Sequence, residues 1–186
     1  MTSASRKNRI EPLKETDESL LLSGRPEAFE ALLRRHQAKL FAVACRLMRD
    51  RDLAGELLQE SLYRAYKNRA RYQGSGTVAG WLTRITVNTC LNELKKRQRL
   101  VFSEDALESW SQSEDPAHQF ESRERRSEVR REMEKLSPLR LAIVSLCALG
   151  YSYEEIAEAT EQSVSQVKSE LFRARKKLRE GLLKTP

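Results

Sequence analysis

Apolar residues recur at three- and four-residue intervals along most of this chain, and no alternating run is long enough to make a convincing strand. The pattern predicts an all-α protein. A short helix around Leu20–Leu22 should stop at Gly24, and Pro26 fits the first turn of the next helix. There Phe29, Leu32, Leu33, His36, Leu40, Val43 and Leu47 repeat at helical spacing to about Met48. Asp50 or Asp52 should cap a third helix running to about Asn68, with Leu53, Leu57, Leu58, Ser61, Leu62 and Ala65 inside and Glu56, Gln59, Glu60, Tyr63 and Lys67 outside. Val78, Trp81, Leu82 and Ile85 open a fourth helix, which ends in the basic run Lys95-Lys96-Arg97-Gln98-Arg99. Later, a charged helix should run from near Arg125 to Leu136. Ser137 should then cap a helix with Pro138 in its first turn and Gly150 as its stop.

The stretch from Gly150 to Leu178 carries the strongest local signals. Ser152 with Glu155, and Ser163 with Gln166, are two capping boxes that start two helices a short turn apart. Ile156, Ala157, Ala159 and Thr160 give the first an inner face. Val164, Val167, Leu171, Ala174 and Leu178 form one stripe on the second. The opposite face shows Gln166, Lys168, Ser169, Phe172, Arg173, Lys176 and Lys177. A basic, polar helix set behind a short helix is the helix-turn-helix design, which can present side chains to base edges and phosphates. The same pattern also fits an ordinary helical hairpin with a solvated basic face.

Between the third and fourth helices lies Arg71-Tyr72-Gln73-Gly74-Ser75-Gly76-Thr77, where two glycines give backbone freedom. Arg84, Asn88, Asn92 and Lys95 share one face of the helix that follows. Trp81 can be read as core or as a stacking surface, with core packing favoured.

A net charge of +7 in 186 residues, with a pI near 9.5, suits a polyanionic partner. Cys45, Cys90 and Cys147 are widely spaced within apolar helical patterns, and His36 and His118 add no metal-ligand spacing. Core thiols in a reducing compartment are expected, with no metal and no cofactor. No signal peptide or membrane span is visible, which points to the cytoplasm. No nucleophile–base pair or phosphate-cradling loop marks an enzyme. The division expected is a disordered tail over 1–16, a helical unit over 17–100, a flexible acidic linker over 101–124 and a second helical unit over 125–186.

Taken together, the two units resemble an extracytoplasmic-function (ECF) sigma factor of the sigma-70 family. The resemblance rests on GELLQESLYRAY (55–66), the 71–77 loop, WLTRITVN (81–88) with LNELKKR (91–97), LSPLRLAIVSL (136–146), GYSYEEIAEA (150–159) and VKSELFRARKKL (167–178), in that order. It implies domains σ2 and σ4, and a factor that binds core RNA polymerase, recognises −35 and −10 promoter elements and promotes melting. On this resemblance, Glu56, Gln59 and Glu60 would dock on the β′ clamp helices, and σ4 would meet the β flap. Arg71, Tyr72, Gln73, Gly74, Arg84, Asn88 and Asn92 would handle the melted −10 strand. Gln166, Lys168, Ser169, Phe172, Arg173 and Lys176 would read or hold the −35 duplex. The resemblance also implies an anti-sigma factor as partner, and no small-molecule substrate. Three positions depart from the pattern: Glu161 where a turn-forming residue is usual, Gln162 where an apolar one is, and Glu170 where a basic one is. Glu170 is expected at the DNA-facing edge, repelling phosphate or accepting from a cytosine amine. A helix-turn-helix regulator that is not a sigma factor would explain 137–180 but not 55–99. A sigma-mimicking adaptor would not need the basic residues retained here.

Overall fold

The computed structural model describes residues 15–74, 76–103 and 120–183. Within them the secondary structure is helical: α1 (Asp17–Leu22), α2 (Pro26–Met48), α3 (Arg51–Asn68), α4 (Val78–Ser103), α5 (Phe120–Glu134), α6 (Pro138–Ala148), α7 (Tyr153–Thr160) and α8 (Val164–Leu182), with one short 3₁₀ turn over Arg69–Arg71.

The helix boundaries follow local chemistry. Thr16 accepts from the Ser19 amide and so caps α1, which makes it part of the folded unit rather than of an N-terminal tail. The rest of the expected tail, 1–14, lies outside the described residues. Asp50, not Asp52, caps α3: its carboxylate accepts from the Asp52 and Leu53 amides. Ser137 stands at the N-cap of α6 but makes no side-chain cap bond, and Pro138 at the first position sets that start instead. Gly150, at φ 83°, ends α6, with its own amide on the Cys147 carbonyl and that of Tyr151 on the Leu146 carbonyl. Both capping boxes of the helix-turn-helix form in full. The acidic stretch is helical at both ends, because α4 continues to Ser103 and α5 begins at Phe120; the remainder, 104–119, lies outside the described residues.

Two apolar clusters hold the chain together. One joins Leu20, Leu21, Phe29, Leu32, Leu40, Leu58, Ala65, Tyr72, Val78, Trp81 and Leu82 at one end of α1–α4. The other spans both helical units: Val43, Leu47, Met48, Leu57, Val87, Leu91 and Leu94 share it with Leu141, Ile143, Leu146, Ile156, Val167 and Leu171. The two helical units are therefore in contact: α7 packs along α4, and α6 contacts both α2 and α4. α4 can serve both sides because it is apolar around much of its circumference. Its buried Thr83, Thr86 and Thr89 each return their hydroxyl proton to the carbonyl four residues back, so no polar group is left unpaired there. Polar contacts stitch the same seam. The Arg49 guanidinium donates to Glu134 at 2.6 Å and to the Arg130 carbonyl, and Lys39 lies 4.2 Å from the centre of the Tyr151 ring.

Candidate functional site

Three surfaces carry the candidate residues. The first is the outer face of α3. Its inner stripe of Ala54, Leu57, Leu58, Ser61 and Ala65 is buried, which turns Glu56, Gln59 and Glu60 to the exterior together. Glu60 accepts from Arg64 one turn on, at 2.5 Å. Tyr63 adds an exposed aromatic ring to this acidic face, with Lys67 over it. Helical spacing marks it as outward; its standing as a large exposed ring among acids comes from the packing of α3.

The second is the loop before α4. Arg71, Gln73, Gly74 and Gly76 are exposed, and Arg84, Asn88 and Asn92 line one side of α4, the first two half-buried. Tyr72 behaves differently from the sequence expectation. Its ring is buried edge-on against Trp81, with centroids 5.8 Å apart, and its hydroxyl bonds to the Gly76 carbonyl at 3.0 Å and to Glu18 at 3.2 Å. Burial, then the Glu18 carboxylate, and more weakly Glu158, push its phenol above the usual value. In this conformation Tyr72 is a wall that shapes the loop, not an open stacking platform. Trp81 is likewise core, as the favoured reading had it.

Two members of this site were not singled out from the sequence. Thr77 caps α4 by accepting from the Gly80 amide at 3.0 Å; a threonine immediately ahead of the apolar run is the available signal. Glu18 reaches Tyr72 across a separation of 54 residues, and no local pattern announces that.

The third is the exposed face of α8, presented by the helix-turn-helix. Buried Val167, Leu171 and Ala174 fix its orientation, so Gln166, Lys168, Ser169, Phe172, Arg173 and Lys176 all face outward, with Phe172 71% exposed. Gln166 is partly committed, because its carbonyl oxygen accepts from the Ser163 amide at 2.8 Å. Lys168 lies 5.7 Å from the centre of the Tyr153 ring, and Lys176 stands 3.9 Å from Glu180.

Glu170 departs from its expected place at the DNA-facing edge. It turns back to Arg140 on α6 at 2.6 Å and also holds Arg173 at 2.6 Å. Arg140, ahead of the opposing effect of burial and then Arg173, keeps its carboxyl below the usual range. The turn itself carries a strained residue: Glu161 sits at φ 55°, in the left-handed region. The Gln162 amide reaches the Ala157 carbonyl and closes that corner.

Among the described residues there is no cluster of His, Cys, Asp or Glu that could hold a metal ion, and no helix is long and apolar enough to cross a membrane. The cysteines are free thiols, and burial pushes that of Cys90 up to about 12.

Residues 32–100 match the family model for sigma-70 region 2, and residues 126–178 match that for sigma-70 region 4. The chain is 34% identical to the ECF RNA polymerase sigma-E factor of Salmonella typhimurium, over 82% of this chain and 85% of that one. It is 30% identical to the RNA polymerase sigma-H factor of Pseudomonas aeruginosa, over 86% and 88%. It is also 30% identical to the ECF RNA polymerase sigma factor SigE of Mycolicibacterium smegmatis, over 84% of this chain, which spans 62% of that relative's length. The fold is similar to that of the sigma factor RpoE of Bartonella quintana, solved in complex with the anti-sigma factor NepR: TM-score 0.65, 24% identity, 86% of this chain and 99% of that one. The chain is a member of the sigma-70 family, and within it belongs to the ECF RNA polymerase sigma factors.

Proposed function

We propose that this sigma factor works through the three surfaces described above. The observation that carries the reading is their combination in one chain: an exposed acidic face on region 2, a glycine-containing loop leading into a polar helix face, and an outward basic helix on region 4. Glu56, Gln59 and Glu60, with Tyr63 beside them, dock core RNA polymerase at its β′ clamp helices, while region 4 meets the β flap. Acids at such a contact suit a basic partner surface in an otherwise basic protein.

Promoter DNA is engaged twice. Lys168, Ser169, Phe172 and Arg173 approach base edges of the −35 duplex, while Gln166 supports the helix start and Lys176 takes phosphate. The melted −10 strand enters at Arg71, Gln73 and Gly74, over a loop shaped by Tyr72, and runs along Arg84, Asn88 and Asn92. Opening requires somewhere for an unpaired base to go, and stacking or pocket contacts worth about 1–3 kcal/mol per base are comparable to the cost of unstacking it.

The protein acts in the cytoplasm, not as an enzyme, and takes no small-molecule substrate. It uses region 2 over 17–100 and region 4 over 125–186, with 101–124 between them. An anti-sigma factor is its natural regulator, as in the similar RpoE structure, which was solved with one. The test is reconstitution: core polymerase with this chain and no other sigma should produce a defined run-off transcript. Duplex binding without a transcript would instead fit a helix-turn-helix regulator.

A further inference from the structure

α7, the first helix of the helix-turn-helix, does more than support α8. Its Glu158 reaches across the seam to the start of α4. A Cβ placed on Gly76 would come within 2.7 Å of one Glu158 carboxylate oxygen, and one on Gly80 within 2.8 Å of the other. The carboxylate therefore lies against the backbone on both sides of the Thr77 cap, over the end of the 71–77 loop and the first turn of α4. That position is favourable for an anion, because the opening amides of a helix carry no intrahelical acceptor and its dipole is positive there. Glycine at 76 and 80 leaves the room that the carboxylate fills.

Glu158 also raises the charge density of the loop. Glu18 already stands on its other side, bonded to Tyr72 and 3.9 Å from where a Cβ on Gly74 would be. With both acids in place, a nucleic-acid phosphate arriving at the loop meets two negative charges. Only one of them is fixed to region 2. The other belongs to region 4 and leaves whenever α7 undocks.

The remaining surfaces are open in the same conformation. Glu56, Gln59 and Glu60 are exposed, as are Lys168, Ser169, Phe172 and Arg173. The seam therefore crowds the end of the loop at Gly76 and the first turn of α4 at Gly80, and spares the other two surfaces. Its polar ties include Arg49, a largely buried guanidinium that donates to the half-exposed Glu134, and Lys39 over the Tyr151 ring. Tyr151 enters the seam among Leu40, Ala79, Gly80 and Thr83, where burial pushes its phenol above the usual value.

From this geometry we infer that the docking of α7 on α4 is an autoinhibitory contact, in which Glu158 occupies the strand-capture loop of the free chain and must leave before single-stranded DNA can enter. The inference rests on the assignment of that loop and Asn88 to the −10 strand. The compact chain can dock polymerase and touch duplex through α8, but it admits no unpaired base until region 4 moves away.

The test uses the full chain without polymerase and a fluorescein-labelled, thymine-rich single-stranded 12-mer in a polarisation titration. Glu158→Lys should bind it more tightly than the parent by about fivefold or more, the scale of one like-charge contact at a few ångströms near water. Glu154→Lys, the same charge change on an exposed position of the same helix, controls for net charge and should gain distinctly less. Gly80→Ala displaces the carboxylate without altering charge and should gain as well; circular dichroism establishes that each variant is folded. Faster amide exchange across 153–160 in Glu158→Lys should accompany the gain. If Glu158→Lys binds no better than Glu154→Lys, and Gly80→Ala no better than the parent, the autoinhibitory contact is overturned. Adding Asn88→Ala separates the two readings. If it weakens strand binding in the parent while Glu158→Lys brings no gain, the −10 assignment stands and the autoinhibition falls. If the gain from Glu158→Lys survives Asn88→Ala unchanged, the autoinhibition stands and the assignment of Asn88 falls.

Discussion

Arg140 on α6 and Glu170 on α8 meet at 2.6 Å, so the Glu170 carboxylate turns toward α6 rather than outward with the basic residues beside it. Glu170 then passes its second oxygen to Arg173, also at 2.6 Å, and presets that guanidinium on the exposed face. Removing the bridge should loosen both α8 and Arg173. The sign of its pH dependence follows from the lowered carboxyl. The stabilisation is fully present above the ordinary glutamate value of about 4.3 and disappears as pH falls through the lower folded-state value. Thermal melts of the parent and Glu170→Gln should differ at pH 7 and converge as the pH is brought below about 4. A gap that persists unchanged in acid would mean that the ion pair is not its source.

Arg173→Ala tests −35 readout. A bidentate base contact should cost about 1–3 kcal/mol and relax preference at one position. A phosphate contact should instead weaken all sequences alike and lower the salt slope by about one. Selection from randomised −35 sites, with titrations at several salt concentrations, separates these outcomes; no change in either would remove Arg173 from the interface.

Glu56→Lys with Gln59→Ala should weaken core polymerase binding by about tenfold or more, through charge reversal at a complementary contact, while the circular dichroism spectrum stays the same. Tyr63→Ala should add to the loss, because a large exposed ring at an interface is a typical anchor. Undiminished retention of the triple variant on immobilised core would exclude this face of α3.

The position of Tyr72 changes which substitution is informative. Tyr72→Ala would empty a buried site beside Trp81, whereas Tyr72→Phe keeps the ring and removes only the bonds to Gly76 and Glu18. We expect Tyr72→Phe to reduce stability by about 1 kcal/mol and to slow promoter opening while leaving core binding intact. Stopped-flow opening kinetics measure the second effect; unchanged kinetics would show that the hydroxyl does not shape the loop for catching a base.

Glu161 sits at φ 55° in the turn. Glu161→Gly should relieve about 1 kcal/mol of backbone strain and raise the melting temperature. A lower temperature would mean that the side chain makes up for its conformation.

What the sequence revealed and what it hid divide along distance in the chain. The two capping boxes, the glycine stop at Gly150 and the stripe from Val164 to Leu178 are written within a turn or two of themselves, so each could be read residue by residue. The outward faces of α3 and α8 followed, because burying one stripe fixes the other. Glu170 was misplaced because its partner lies thirty residues earlier, on another helix. The burial of Tyr72 depends on Glu18 and Trp81, and the seat of Glu158 on two glycines more than seventy residues away. The packing of α7 on α4 was hidden for a related reason: Val87, Leu91 and Leu94 mark α4 as broadly apolar but do not say which helix covers them.

The central claim is that this chain opens promoters for polymerase rather than only binding duplex. Permanganate footprinting of a linear promoter, with holoenzyme reconstituted from core and this chain alone, tests it directly. The account predicts reactive, unpaired thymines just upstream of the start site, lost on Asn88→Ala and partly restored on a template already melted at −10. Protection of the −35 duplex with no reactive thymines, at any holoenzyme concentration, would contradict it.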